Sequence, residues 1–533
     1  MNPLVEKLAY LGPEIVLLVG ATLCLFTGLA PSAGTRKLAP WIAGLALVLS
    51  VVIPRTFSGI ELAATPLAGY VKAAVATVGL LLLLVAARTP DDLRQTQDAE
   101  RAARFEPGDT LRGEFFAFFL LSLTGVMLCA GASDLVWLFL ALELTSLPTY
   151  VMVATSRDRA EAQESAVKYF FLGAMAAAVF LYGFALMYGA TGSTNFVDIQ
   201  AAVAADGGPS SLLVVGLVLA LIGICFKIAA VPMHFYAADV YQGAATPVTA
   251  FLAFVPKTAG FVSLVLLLDL VVAPTGELPA VLAGLLAVIA VLTMTVGNVL
   301  GLLQTSVKRV LAYSSIAPTG YMLVGLLAIT GSLDGESLLG NGIAAVMFYL
   351  VAYGLSTLAA FAVLGCLQRR GEEADSYDDI AGLAQRHPGL AATMLLSVLS
   401  LIGLPPMVGF LGKIYLFGSA FDAGWGWLVV IAVLNAAIGA VYYLRIAATC
   451  FFGDPAADVV TIRTPARRLG AAIAAAASLV LGVAGSRLVD AAADAGRSTP
   501  YQSPHRDQVV ESPTDTATAP VAQEAPATTD LPG

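Results

Sequence analysis

Four ionisable residues lie where apolar sequence should exclude them. Glu143, Lys227, Lys257 and Lys413 each fall inside a long run of Leu, Ala, Val, Gly and Phe. Placing a lysine or acid at the centre of a bilayer costs roughly 2.5–3.5 kcal/mol or more, so such residues persist when they pair, line water or carry ions. A structural ion pair that only fixes helix packing would account for one Glu and one Lys. One acid and three lysines spread over four runs cannot all neutralise one another. Burial drives an ammonium towards its neutral form, and a nearby carboxylate restores the charge. A row of lysines poised between those limits makes a proton relay, in which moving charge near Glu143 alters how Lys227 holds its proton and passes that change to Lys257 and Lys413. His234 follows a proline at 232 and is a candidate relay group, since histidine titrates near neutral pH; an interfacial histidine that only packs is the plainer alternative. Lys72 and Arg445 are weaker candidates, both placed to snorkel to a surface. Asn435, Tyr442 and Tyr443 are suited to water chains but are common in packed bundles.

The elements that must hold these groups are membrane helices. Of 533 residues, 58% are hydrophobic and only 12% charged. A soluble globular protein carries about 25% charged residues, so this chain has too little polar surface to cover a soluble particle. That excludes a cytosolic enzyme, a nucleic-acid binder and a secreted disulfide scaffold. A helix needs about 20 apolar residues to cross the hydrocarbon. Fourteen such runs occur, at 11–30, 38–54, 68–87, 114–131, 134–154, 169–190, 211–231, 246–270, 279–300, 310–330, 342–367, 390–417, 425–450 and 469–486. They lack the alternation of barrel strands. Eighteen Lys and Arg residues fall in the odd-numbered loops against five in the even-numbered loops and the ends. By the positive-inside rule the odd loops are cytoplasmic and both termini lie outside.

Residues 1–87 form a three-helix segment, 88–113 a charged cytoplasmic loop, 469–489 a last helix, and 491–533 an acidic Pro/Ala/Thr-rich tail expected to be disordered. That tail supplies −4 of the net charge of −9, so net charge identifies no partner. Residues 114–273 and 279–450 each hold five runs. An odd number of crossings makes a duplication of this unit inverted. Leu147-Pro148-Thr149-Tyr150 and Pro318-Thr319-Gly320-Tyr321 occupy the second run of each set; the fourth runs carry Lys227 with Pro232, and Lys413 with Pro405-Pro406. Proline removes a backbone donor, and in lipid the freed groups must meet protein or water. Broken helices are therefore expected beside both lysines, although a lone proline would indicate only a kink. The fold class is an all-α polytopic membrane protein with about fourteen spans and two inverted five-helix repeats.

No bound cofactor is expected in this chain. Its five cysteines are scattered in apolar stretches, only three histidines exist, and no phosphate-binding glycine pattern follows a strand-like run. Met1–Tyr10 carries Glu6 and Lys7 before a long apolar run, so no cleavable leader is expected.

The runs Phe226-Lys227-Ile228-Ala229-Ala230-Val231-Pro232-Met233-His234, Asp239-Val240-Tyr241-Gln242-Gly243-Ala244-Ala245-Thr246-Pro247 and Pro256-Lys257-Thr258-Ala259-Gly260-Phe261 resemble the antiporter-like subunits of respiratory complex I. Leu142-Glu143-Leu144-Thr145-Ser146-Leu147-Pro148, Leu311-Ala312-Tyr313-Ser314-Ser315 and Gly409-Phe410-Leu411-Gly412-Lys413 extend the likeness over roughly residues 110–450. The resemblance implies one proton channel driven by quinone reduction elsewhere in a bacterial inner-membrane complex. It makes Glu143 the partner of Lys227, Lys257 the central relay and Lys413 the terminal site. The M-type sister has glutamate at that last position, which argues against it here, and the stretch from Asp239 differs from subunits L and M. FMN, iron–sulfur clusters and quinone would sit on other subunits, and the partners would include M-type and small K-type membrane subunits as well as lipid. Pro318 stands where the family usually has histidine, and Ala238 where it tends to have proline. A stand-alone cation/proton antiporter subunit and a non-pumping structural spacer are the alternatives.

Overall fold

In lipid every backbone N–H and C=O must be satisfied within the protein, which leaves a leucine- and alanine-rich run little choice but helix. The structure, a computed structural model, describes residues 10–56, 65–86, 111–157, 160–272, 277–329, 341–369, 372–455, 458–462 and 464–497. Its principal helices are α1 (Gly12–Gly28), α2 (Ala39–Thr56), α3 (Pro66–Ala86), α4 (Leu111–Ala130), α5 (Leu135–Thr155), α6 (Ala160–Thr191), α7 (Ser211–Ile228), α8 (Tyr236–Gly243) and α9 (Thr246–Asp269). They continue with α10 (Ala280–Leu302), α11 (Val307–Leu326), α12 (Gly342–Leu364), α13 (Pro388–Ile402), α14 (Val408–Asp422), α15 (Gly426–Phe452), α16 (Pro465–Ala484) and α17 (Ser486–Arg497). Side-chain caps start several of them. Asp134 accepts from the Trp137 amide at 2.8 Å and Asn341 from the Ala344 amide at 3.0 Å, each satisfying a donor the helix leaves free.

Among the described residues, eleven helices are long and apolar enough to cross a membrane. Over the described residues, each of the fourteen apolar runs falls mainly on one helix or, for 390–417, on the pair α13 and α14. The interior is organised around α9 and α12, in which every residue is buried. The outer helices turn large apolar side chains such as Phe26, Trp41, Phe171 and Leu434 outward, as lipid contact requires.

Two helices break. After α7 the backbone turns left-handed at Ala229 (φ 56°), and after α13 at Gly403 (φ 86°). The closing bond has the same form at both places: Ala230 N–H donates to the Cys225 carbonyl at 2.8 Å, and Leu404 N–H to the Leu399 carbonyl at 3.1 Å. The prolines at 232 and at 405–406 follow and prevent the helix from resuming. Helix α7 therefore stops three residues short of the expected end at 231. Pro148, Pro256 and Pro318 instead sit inside continuous helices.

Two further boundaries differ from expectation. Helix α4 starts at Leu111, so the charged loop placed at 88–113 is shorter; the rest of that loop is outside the described residues. Helix α17 runs to Arg497, so the tail does not begin at 491. Its alanines gain a surface to bury on: Ala492 packs with Ala344, Phe348, Ala352 and Val408. Residues 498–533 are outside the described residues. A small sheet joins two loops, with strands β1 (Leu367–Arg369), β2 (Glu372–Glu373) and β3 (Val459–Thr461) in the order β2-β1-β3, both pairs antiparallel.

Helix α16 closes on the second break. A Cβ at Gly482 would collide with the Pro406 carbonyl oxygen, whereas one at Gly189 on α6 would meet nothing within 4 Å. Gly482→Val is expected to lower the amount of assembled protein in membranes, and Gly189→Val to leave it unchanged, as measured on native gels. Equal amounts would contradict this packing.

Candidate functional site

Glu143 lies mid-way along α5, and Ser146, three residues on, shares its face of the helix. Lys227 occupies the last turn of α7, just before the break. Its Nζ meets the Glu143 carboxylate at 2.9 Å, with side-chain exposures of 2% for Lys227 and 17% for Glu143. The same ammonium donates to Ser146 Oγ and lies 5.6 Å from the centre of the Phe180 ring. Helix α7 fixes this meeting because Gly223 lets it approach Ala176 and Phe180 of α6 closely.

Hydroxyls satisfy the backbone groups at the break. Tyr236 donates to the Phe226 carbonyl at 2.8 Å, and Thr319 of α11 donates to the Ile228 carbonyl at 2.8 Å. Val231 N–H donates to Thr293 Oγ at 3.0 Å. Thr319 is also an acceptor for Lys257, whose Nζ lies 3.2 Å from its Oγ and donates to the Ser315 carbonyl as well. Lys257 and the end of α7 thus share one threonine. Among the described residues Lys257 has no carboxylate within ion-pair distance. Its other close neighbour is the Tyr353 ring, 5.3 Å away.

Lys413 sits on α14 beyond the second break. Its Nζ donates to the Leu401 and Ile402 carbonyls at 2.9 and 2.7 Å, the free end of α13, and lies 5.4 Å from the Tyr321 ring. The carbonyl end of a helix is a favourable place for a cation. Between Lys257 and Lys413 stand Tyr353 and Tyr349 of α12, with ring centres 6.5 Å apart. The Tyr349 ring closes against Gly412, next to Lys413. The buried Tyr353 hydroxyl lies beside Ser315 Oγ and Thr357 Oγ, and Thr357 is one turn of α12 further from Tyr349 and Lys413.

The structure brings Glu143 and Lys227 into contact and links Lys257 through Thr319 to the end of α7. It places Lys413 at the other break, across the tyrosines. His234 lies in the first break, 8% exposed, with Nδ1 unpartnered by protein. No described hydrogen bond or ion pair joins it to the lysines.

Sequence reasoning missed several polar groups. Asn298 on α10 donates to Tyr321 OH at 3.0 Å and to the Asn435 carbonyl at 2.9 Å, and accepts from Tyr442 OH at 2.9 Å. A lone asparagine in an apolar run was the available signal. Pro318 leaves the Ser314 carbonyl without its helical donor, and the Tyr443 hydroxyl lies 3.5 Å from that oxygen. Lys72 does not snorkel. It is buried against Glu14 at 2.8 Å, donates to the Tyr10 carbonyl at 2.8 Å and lies over the Tyr10 ring. A long-range partner on α1 removes the need to reach a surface. Arg445 lies over the Tyr377 ring at 4.1 Å. The five cysteines are buried and unbridged, and the described residues contain no group of three metal-ligating side chains.

A nearly all-helical membrane chain, with a buried Glu–Lys pair at one broken helix and a second lysine at another, has the design of an antiporter-like subunit. Residues 132–439 match the transmembrane family described as NADH:quinone oxidoreductase/Mrp antiporter. NADH-quinone oxidoreductase subunit N of Trichlorobacter lovleyi is 41% identical over 389 residues, covering 72% of this chain and 77% of that one. Subunit N of Nitrosomonas europaea is 42% identical over 345 residues, covering 65% and 69%. A chain of respiratory complex I from Thermus thermophilus superposes with a TM-score of 0.72 at 31% identity, over 90% of this chain and 99% of that one. A chain of the Mrp complex from Dietzia shares the fold, with a TM-score of 0.72 at 20% identity over 93% and 97%. The chain belongs to the NADH-quinone oxidoreductase subunit N family.

Proposed function

We propose that this chain translocates protons in the membrane arm of an NADH:quinone oxidoreductase, through Glu143, Lys227, Lys257 and Lys413, driven by quinone reduction on other subunits. The observation that carries this reading is the charge imbalance of the buried line. Its three lysines lie at most 8% exposed, and of these only Lys227 has a carboxylate partner among the described residues. Lys257 and Lys413 hold their protons with carbonyls and a hydroxyl alone. Such groups respond strongly to a neighbouring charge, because a low-dielectric interior screens little.

When Glu143 attracts Lys227 less, Lys227 releases its proton more readily. Thr319, bonded to both the Ile228 carbonyl and Lys257, carries that change to the centre. Tyr353 and Tyr349 line the interval to Lys413, and the buried Tyr353 hydroxyl suits a bound water on that path. His234 is a further relay candidate beside the first break.

The two halves act as inverted five-helix repeats, α4 to α9 and α10 to α15. Their matching helix-closing bonds at Ala230 and Leu404 support this. All fourteen runs cross the bacterial inner membrane, with both termini outside, as the Lys and Arg bias favours. The chain carries no redox centre. FMN and iron–sulfur clusters belong to other subunits, and M-type and K-type membrane subunits are its neighbours.

Purification in mild detergent tests the assignment. Co-migration with NADH-oxidising and quinone-reducing subunits is expected. Migration alone, or with antiporter subunits only, would contradict it.

A further inference from the structure

Helix α9 carries Lys257 but begins without a cap of its own. Ala245 occupies the capping position and has no side-chain acceptor. Because every residue of α9 is buried, its first-turn donors cannot turn to solvent. The acceptor comes from 127 residues along the chain: Thr246 N–H lies 3.2 and 3.1 Å from the two oxygens of Glu373 on β2, and the Thr246 hydroxyl donates to the same carboxylate. A negative charge is also favoured at this end of a helix.

Glu373 grips a second helix as well. Lys308, in the first turn of α11, lies 3.3 Å from it, and Arg157, after α5, forms a further ion pair. Lys308 also donates to the Ala244 carbonyl at 2.6 Å, immediately before α9. Two residues beyond Glu373, the Asp375 carbonyl accepts from Val307 N–H at 2.7 Å and from Ser306 Oγ at 3.2 Å, so this loop caps α11 too. The first turns of both helices are thereby tied to one point.

The spacing above that point is matched. Lys257 is eleven residues after Thr246, and Thr319 is eleven residues after Lys308. Eleven residues make about three helical turns, so equal climbs from the clamp bring Lys257 Nζ to Thr319 Oγ, 3.2 Å away. Direct packing between α9 and α11 is sparse; α9 packs mainly on α12, α7 and α4. A slip of one residue moves a helix by about 1.5 Å, enough to take a 3.2 Å contact out of hydrogen-bond range.

We propose that Glu373 is a positioning residue, which sets the axial register of α9 against α11 and so selects the acceptors that Lys257 meets. This rests on the relay reading of Lys257. The carboxylate is 4% exposed. Burial alone would raise its pKa, but Lys308, Arg157 and the Thr246 hydrogen bonds outweigh burial and hold it down at about 2. Glu373 therefore stays ionised throughout the working range, as a fixed clamp rather than a proton carrier.

The test uses membrane vesicles holding the intact enzyme. Glu373→Gln keeps the shape and one acceptor for Thr246 but removes the charge that holds Arg157 and Lys308. It is expected to lower kcat and the proton-pumping rate about tenfold per assembled complex, as misplacement of a reacting group does, with KM for quinone unchanged. Lys308→Met cuts the same link from α11 and is expected to lose as much, and the double variant no more than either. Wild-type kcat per assembled complex in either single variant, or a raised KM with kcat unchanged, overturns the proposal. If Glu373→Gln does not assemble, Lys308→Met decides on the same two outcomes; if neither assembles, Thr246→Val decides, with lowered kcat expected and wild-type kcat overturning. Lys257→Met separates the two levels: wild-type pumping there removes the relay reading and this proposal with it, whereas loss there beside normal pumping in the Glu373 and Lys308 variants removes this proposal alone.

Discussion

Lys257→Met is expected to reduce proton pumping by about a hundredfold, in the range that loss of a single proton-transfer group produces, while the protein still assembles. Methionine nearly matches the lysine stem and suits the apolar wall of α9, so the fold has little to lose. What disappears is the ammonium between Thr319, the Ser315 carbonyl and the Tyr353 ring. Lys257→Arg sharpens the test. Arginine keeps the charge and the donors but does not release its proton, so it too should fail to pump. Wild-type pumping in the arginine variant would show that charge alone matters at this position and would remove the transfer step. Proton uptake or release by vesicles, measured per assembled complex alongside quinone reduction, reads both variants.

Glu143→Gln is the second large effect. It keeps the size of the side chain and removes the counter-charge 2.9 Å from Lys227. Breaking a buried pair from one side costs about 3–5 kcal/mol because the remaining charge is left uncompensated. Ser146 Oγ stays within reach of Lys227 but cannot replace a carboxylate. Quinone reduction and pumping should therefore fall together, by about tenfold or more. Lys227 receives the first signal in the relay, and without Glu143 the signal has no charge to act on. Normal coupled turnover in this variant would remove the electrostatic part of the mechanism.

Much of this site was legible in the sequence because lipid makes charge conspicuous. Glu143, Lys227, Lys257 and Lys413 stand out in apolar runs, and the prolines at 232 and 405–406 mark the breaks. Groups whose meaning depends on a distant partner were not legible. Lys72 looked free to reach a surface until α1 supplied Glu14. Glu373 looked like any loop acid, and only the fold carries it to Thr246 and Lys308. Thr319 lies in a recognisable phrase, but its double role follows from a carbonyl that the break at Ala229 leaves free. The alanines of α17 are too weakly apolar to fold as an isolated segment, and they fold where α12 offers a face to cover.

The central claim is that a hydrated line joins Lys257 to Lys413 past Tyr353 and Tyr349. A density map of the intact complex, at a resolution that places ordered waters, tests it most directly. Waters bridging those hydroxyls in an unbroken series between the two ammonium groups are the expected result. A dry interval of packed side chains between them, in an active preparation, would contradict the account.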